Sequence, residues 1–155
     1  MNILVTGGAG FIGSNVADAF INEGHNVIIV DNLSSGKKEN INPKAKFYHL
    51  DIQNPEVETI FKTEKIDVMC HHAAQMDVRK SVADPKFDAS INILGFLNLM
   101  EFGRHYGLKK VLFASTGGAI YGKQDYFPAD EQHSLCPLSP YGITKLSTEK
   151  YLYFY

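Results

Sequence analysis

Asn2-Ile3-Leu4-Val5-Thr6-Gly7-Gly8-Ala9-Gly10-Phe11-Ile12-Gly13-Ser14 is the stretch that decides the fold. Ile3 to Thr6 is a short apolar run of the kind that forms a strand buried on both faces. Phe11 to Glu23 carries apolar residues at helical spacing and ends at Gly24, a C-cap position. Between the two, Gly7, Gly10 and Gly13 are spaced G-x-x-G-x-x-G, and Gly8, Gly10 and Gly13 are spaced G-x-G-x-x-G. Both spacings meet one physical need: backbone N–H groups and a helix N-terminus must approach a pyrophosphate with no Cβ in the way. A glycine triplet alone is a weak signal. Placed between a strand and a helix it reads as a dinucleotide-binding turn.

Outward from that turn, strand and helix patterns alternate to the end of the chain. Val27 to Val30 is a β-branched run, Asp31 to Lys44 a polar loop, Lys46 to Leu50 a third strand and Pro55 to Lys62 a modest helix. Asp67 to His71 reads as strand four, Phe87 to Tyr106 as one long amphipathic helix closed by Gly107, and Lys110 to Ser115 as strand five. A last helix begins near Ser139-Pro140-Tyr141. Five strands separated by helices predict an α/β fold, a Rossmann-like doubly wound parallel sheet, in one domain over residues 1–155. Ligands in such sheets bind beyond the carboxyl ends of the strands. The loops after strands one, two, four and five are therefore where chemistry is expected.

Composition narrows the partners. A net charge of −2 and a pI near 6.3 give no general attraction to nucleic acid or anionic lipid. No segment approaches a membrane span, and Cys70 and Cys136 lack metal or disulfide spacing. Reduced thiols in a cytoplasmic protein are the expectation. His71-His72 could suggest a metal, but successive strand residues point to opposite faces, so no metal site is expected.

Asp31 ends strand two, about twenty residues past the glycines, where a carboxylate can accept from a ribose diol and repel a 2′-phosphate. That favours NAD over NADP; capping of the turn Asp31-Asn32-Leu33-Ser34-Ser35-Gly36 is the competing role. Asp51 follows strand three, where either an adenine contact or helix capping before Pro55 would suit it. Ala73 and Ala74 are small enough for the backbone to pass close to a cofactor ribose. Tyr141 and Lys145 lie four apart on one helical face. An adjacent ammonium favours phenolate, so Tyr141 could exchange a proton with an alcohol; an ordinary helix with an exposed lysine is the alternative. Ser115-Thr116-Gly117-Gly118 follows strand five, where a hydroxyl could bond the reacting oxygen or merely shape a turn.

Across essentially its whole length the chain resembles the extended short-chain dehydrogenase/reductase family, and within it the UDP-glucose 4-epimerases. The carriers are Thr6 to Ser14, Asp31 to Gly36, His72-Ala73-Ala74-Gln75, Asn92, Ser115 to Gly122 and Tyr141-Gly142-Ile143-Thr144-Lys145. The resemblance implies NAD as cofactor, with Phe11 and Ile12 over the pyrophosphate beside Gly7, Gly10 and Gly13. It implies Asp31, Asn32, Leu33, Ser34, Ser35 and Gly36 on the adenosine ribose, and Asp51 and Ile52 flanking adenine. His72, Ala73, Ala74, Gln75, Asn92 and Ser115 would line the inner cofactor. Tyr141 would be the catalytic base, Lys145 its electrostatic partner and ribose ligand, and Thr116 the hydroxyl beside the sugar oxygen. An ungapped match backward from Tyr121-Gly122 puts Gly117 in that last place; Thr116 takes it when the Gly117-Gly118 pair absorbs one residue.

Related dehydratases and decarboxylases carry acids after that threonine, where this chain has Gly117, Gly118 and Ala119. The implied activity is therefore 4-epimerisation of a UDP-hexose through a 4-keto sugar. A dehydratase or decarboxylase of the same family and a non-catalytic NAD-binding fragment or sensor are the alternatives. Family members continue past the last helix into a substrate-binding region. The expectation is thus a truncated, cofactor-binding half that folds, holds NAD and epimerises nothing alone. Its aromatic end, Tyr151-Leu152-Tyr153-Phe154-Tyr155, is expected to drive a homodimer or larger assembly.

Overall fold

The structure, a computed structural model, describes residues Met1–Tyr155. The chain forms two compact units: Met1–Ala74 with Gly95–Ala114, and Gln75–Leu94 with Ser115–Tyr155.

The first unit holds β1 (Asn2–Thr6), α1 (Phe11–Asn22), β2 (Asn26–Asp31), β3 (Lys46–His49), α2 (Val57–Glu64) and β4 (Val68–His71). In the second part of that unit come α5 (Phe96–His105) and β5 (Lys110–Phe113). The five strands form one sheet in the order β3-β2-β1-β4-β5. Every neighbouring pair is parallel. Strand order reverses at β1, so the carboxyl ends of β1 and β4 form the switch point where open α/β sheets bind ligands. Thr6 and His71 are paired there in register, with Thr6 Oγ1 2.7 Å from His71 Nδ1.

Alternation along the central strands feeds two apolar layers. Ile3, Val5, Val27, Ile29, Val68 and Cys70 join Ala17 of α1 on one face, with Val16, Phe20 and Ile21 packed against them. On the other, His71 stacks with Phe113 and meets Phe96 of α5 at a ring separation of 5.4 Å. Helix α1 closes where Gly24 takes φ +78, the left-handed C-terminal conformation anticipated for it.

The second unit holds α3 (Val78–Ala83), α4 (Pro85–Ala89), α6 (Gly117–Ile120) and α7 (Pro140–Phe154). Ser139 caps α7 by accepting from Gly142 N–H, with Pro140 at the first turn.

Two expectations fail here for physical reasons. The long helix expected from Phe87 to Tyr106 is three pieces: α4, a π-helical stretch Ser90–Gly95, and α5. A wider turn inserts a residue without disturbing the apolar spacing on either side, so periodicity does not reveal it. The helix expected from Pro55 begins at Val57, because Asn54 and Pro55 take part in a preceding turn through Val57 N–H and Glu58 N–H. Helix α3 lay in a stretch with no assigned structure; Asp77 accepts from Arg79 and Lys80 N–H and caps it. No helix is long and apolar enough to cross a membrane.

Candidate functional site

In the first unit the glycine turn leaves no room for a Cβ at Gly7 or Gly13. Gly7 sits at φ +70, and a Cβ there would lie 2.6 Å from Ala73 N. A Cβ on Gly13 would lie 2.3 Å from Gly7 O. The first helix thus starts directly on the turn, and the chain leaving β4 passes against it. The first bond of α1 runs from Ser14 N–H to Gly10 C=O, and Gly10 supplies no side-chain cap. N–H groups at the head of α1 are left pointing along the axis, at the positive end of the helix dipole. Phe11 and Ile12 flank that end, 84% and 61% exposed.

The loops beyond β2 and β3 are tied to this turn. Asp31 is buried; its Oδ2 accepts from Ala9 N–H at 3.0 Å and its Oδ1 from Leu33 N–H at 2.8 Å. It therefore performs the turn-capping role that competed with the ribose role, and each oxygen keeps a further lone pair for a ligand. Asn40, not anticipated from the sequence, donates its side chain to Ala9 O and with Lys37 N–H pins the turn from the other side. Gly36 packs on Ala9, where a Cβ would meet the Ala9 methyl at 2.8 Å. Asn32 donates to Asp51 Oδ2 and accepts from Ser34 N–H, while Ser34 and Ser35 are exposed. Asp51 caps its own turn through Gln53 N–H rather than the helix after Pro55, and Ile52 is buried against Gly95. His72 and Ala73 are held by β1: His72 N–H donates to Thr6 O, and Ala73 N–H to Thr6 Oγ1.

The second unit gathers the remaining candidates around buried polar side chains. Asn92 lies in the π-helical stretch. Its Oδ1 accepts from Gln75 N–H, and its Nδ2 donates to Gln75 O, Asp88 Oδ1 and Thr144 Oγ1. Thr148 Oγ1 donates to the Asn92 carbonyl. Lys145 is only 3% exposed, so the alternative of a surface lysine fails. Its ammonium stands 5.9 Å from the centre of the Tyr141 ring. Burial lowers the Lys145 pKa to about 8, with Asp88 pulling it back up. Tyr141 moves above its usual 10, first by burial and then by the Asp88 charge, while the Thr116 hydroxyl draws it back. A nearby ammonium favours phenolate, and in the chain alone the burial of Tyr141 acts against that pull. Ser115 donates its hydroxyl to Glu149.

Asp88 is the other group the sequence did not single out. An acid within an amphipathic helix normally marks the solvated face, and its one visible signal was a place four residues before Asn92. No group of three His, Cys, Asp or Glu side chains could hold a metal ion. Cys70 is buried and Cys136 exposed, and neither is in a disulfide.

Comparison with known proteins gives this geometry a lineage. Residues 3–155 match the family model described as NAD dependent epimerase/dehydratase family. The chain is 48% identical over 153 residues to a putative UDP-glucose 4-epimerase of Methanocaldococcus jannaschii, covering 99% of this chain and 50% of that protein. It is 40% identical to a UDP-glucose 4-epimerase of Mycolicibacterium smegmatis, over all of this chain and 51% of the relative. Among solved structures, the Thermotoga maritima UDP-glucose 4-epimerase with UDP-glucose superposes at a TM-score of 0.97 with 54% identity, covering 99% of this chain and 50% of that one. The Thermus thermophilus UDP-glucose 4-epimerase in complex with NAD does so at 0.96 with 44% identity, covering 100% and 50%. The chain spans about half the length of the curated relatives it matches. A parallel sheet in the order β3-β2-β1-β4-β5, a glycine turn with no room for a Cβ at Gly7 or Gly13 and a family match along nearly the whole sequence lead to one conclusion: the chain belongs to the NAD dependent epimerase/dehydratase family.

Proposed function

We propose that residues 1–155 are the NAD-binding part of an enzyme that interconverts the C4 epimers of a UDP-hexose. The observation that carries the reading is Lys145, driven into the protein interior one helical turn from Tyr141. A buried lysine is costly to fold, and a proton-transfer site is a common reason for tolerating one. The glycine turn supports NAD as the cofactor, since its uncapped helix head and the close backbone approach at Gly7 and Gly13 fit a pyrophosphate. In this reading Phe11 and Ile12 cover the pyrophosphate, Asp31 to Gly36 hold the adenosine ribose, Asp51 and Ile52 flank adenine, and His72 to Ala74 follow the inner cofactor. Gln75, Asn92 and Ser115 complete that set.

When bound, NAD supplies a reversible acceptor for the hydride at C4 of the sugar. Tyr141 takes the proton of the 4-hydroxyl and later returns it. Lys145 would hold positive charge beside the phenol and favour its deprotonated form. Thr116 donates a hydrogen bond to the same oxygen. No acid stands in α6 to eliminate water, since its residues are Gly117, Gly118, Ala119 and Ile120, and that favours epimerisation over dehydration. The names of the relatives support UDP-glucose and UDP-galactose as the sugar pair, and galactose metabolism as the setting. The two unpaired thiols support a cytoplasmic location, and the exposed Tyr153 and Phe154 of α7 support association of copies.

The test is conversion of UDP-galactose, in a coupled assay, by a protein of the family's length that carries this chain. Tyr141→Phe is expected to cut turnover by about 10²–10⁴-fold with NAD affinity unchanged. Unchanged turnover in that variant removes Tyr141 as the base and the reading with it.

A further inference from the structure

Tyr141, Lys145 and Thr116 account for the proton transfer and leave the buried carboxylate of the second unit unused. Asp88 is fully buried, although its neighbours Lys86 and Phe87 are exposed. Its Oδ1 accepts from Gln75 Nε2 at 2.8 Å and from Asn92 Nδ2 at 3.1 Å, and its Oδ2 accepts from the Thr144 hydroxyl at 2.9 Å. Three donors converge on two oxygens. An ionised carboxylate satisfies all three, whereas a protonated one would bring a further donor into a ring of donors. A buried carboxylate remains costly unless a positive charge opposes it. Lys145 is the buried cation of this unit, and it directly follows Thr144, the residue that holds Oδ2.

We propose that Asp88 is a positioning residue: its carboxylate, fixed by Gln75, Asn92 and Thr144, is the buried counter-charge that keeps Lys145 an ammonium beside Tyr141. The inference depends on the proposed function only for the use made of that charge. Burial pushes Lys145 down, and the Asp88 carboxylate pushes it part of the way back.

Other charged groups on the elements around α7 are engaged elsewhere or face solvent. Arg79 and Lys80 of α3 and Lys86 of α4 are exposed, with Lys80 over the Phe87 ring at 4.4 Å. Asp77 and Asp84 accept from backbone N–H groups at the starts of α3 and α4. On α7 itself Glu149 accepts from Ser115 and Lys150 is exposed, and α6 carries no ionisable side chain. Thr144 also approaches the Tyr141 carbonyl at 2.9 Å, so its hydroxyl has a second acceptor if Asp88 ceases to be one.

That second acceptor makes Asp88→Asn a clean removal of charge. The amide oxygen can accept from Gln75 and Asn92, and the amide NH2 can donate to Thr144, which turns to the Tyr141 carbonyl. The experiment is an NMR pH titration of the Lys145 ε-carbon in the full 155-residue chain with carbon-13-labelled lysine. Asp88→Asn is expected to lower the Lys145 midpoint by about one pH unit or more. Thr144→Val, which removes a hydrogen bond and leaves the charge, is expected to leave the midpoint nearly unmoved. An unmoved midpoint in folded Asp88→Asn overturns the proposal, as does an equal shift in Thr144→Val. If Asp88→Asn does not fold, the wild-type chain decides through the Asp88 carboxyl carbon: ionised wherever Lys145 titrates supports the proposal, protonated overturns it. NAD titrated into the same wild-type sample separates the two claims, because failure to bind NAD removes the proposed function and leaves the Asp88–Lys145 coupling standing.

Discussion

The two units of the chain are held together by different chemistry. Nearly every fully buried apolar side chain, from Ile3 to Met100, belongs to the sheet unit; Ile120 alone represents the helical one. The helical unit instead buries Gln75, Ser81, Asp88, Asn92, His133, Thr144, Lys145 and Thr148. Apolar burial is additive and forgiving of small shifts, so it suits a platform for a cofactor. A polar interior costs free energy whenever one member loses its partner, and it holds its groups in one arrangement for the same reason. The sheet unit is thus held by apolar packing, and the buried side chains of the helical unit by hydrogen bonds.

Substitutions in the two units should therefore differ in cost. The largest effect is expected in the sheet unit, where Leu99 is completely buried. Leu99→Ala should destabilise by about 2–5 kcal/mol in urea unfolding. If Ile120→Ala cost as much, the division of labour between the units would be wrong.

Next comes the pH dependence contributed by Lys145. Its pKa is about 8 when folded and 10.5 as the ordinary value. The unfolded state therefore binds more protons between those limits, and stability from this group rises with pH across that window. At neutral pH the burial costs about 3 kcal/mol, and the cost fades from pH 8 upward. Subtracting the profile of Lys145→Met cancels the phenols and Cys70, whose raised values act oppositely at higher pH. The difference should rise from pH 8 toward 10.5; a flat difference would place Lys145 in water.

A smaller loss is expected at Thr148, whose hydroxyl bonds the Asn92 carbonyl and Thr144 O. Thr148→Val keeps the shape, leaves the Asn92 carbonyl without that donor and should cost about 1–3 kcal/mol. Thermal melting reads it, and an unchanged midpoint would mean that the π-helical stretch needs no such support.

The same division explains what could be read from the sequence. Strand β2 was legible as a continuous β-branched run, β1 and β4 as short apolar runs, and the glycine turn because its spacing follows from close approach at Gly7 and Gly13. The parallel sheet followed from alternation and handedness. The helical unit was harder. Helix α3 has six residues, too few for a 3.6 period to declare itself, and its one signal was Asp77 before Val78. The π-helical stretch that aims Asn92 inward leaves no periodic trace. Asp88 was invisible because a buried acid and a solvated one look alike until its three donors, from Gln75, Asn92 and Thr144, are brought together in space.

The sheet unit is expected to bind NAD and to select it over NADP through Asp31. Calorimetric titration of the 155-residue chain with NAD and with NADP tests it most directly. NAD should bind with one-to-one stoichiometry and at least about tenfold more tightly than NADP, a gap of about 1.4 kcal/mol, because a 2′-phosphate would meet the Asp31 carboxylate that Ala9 and Leu33 N–H groups hold in place. Equal affinities, tighter NADP, or no binding of either would contradict the account.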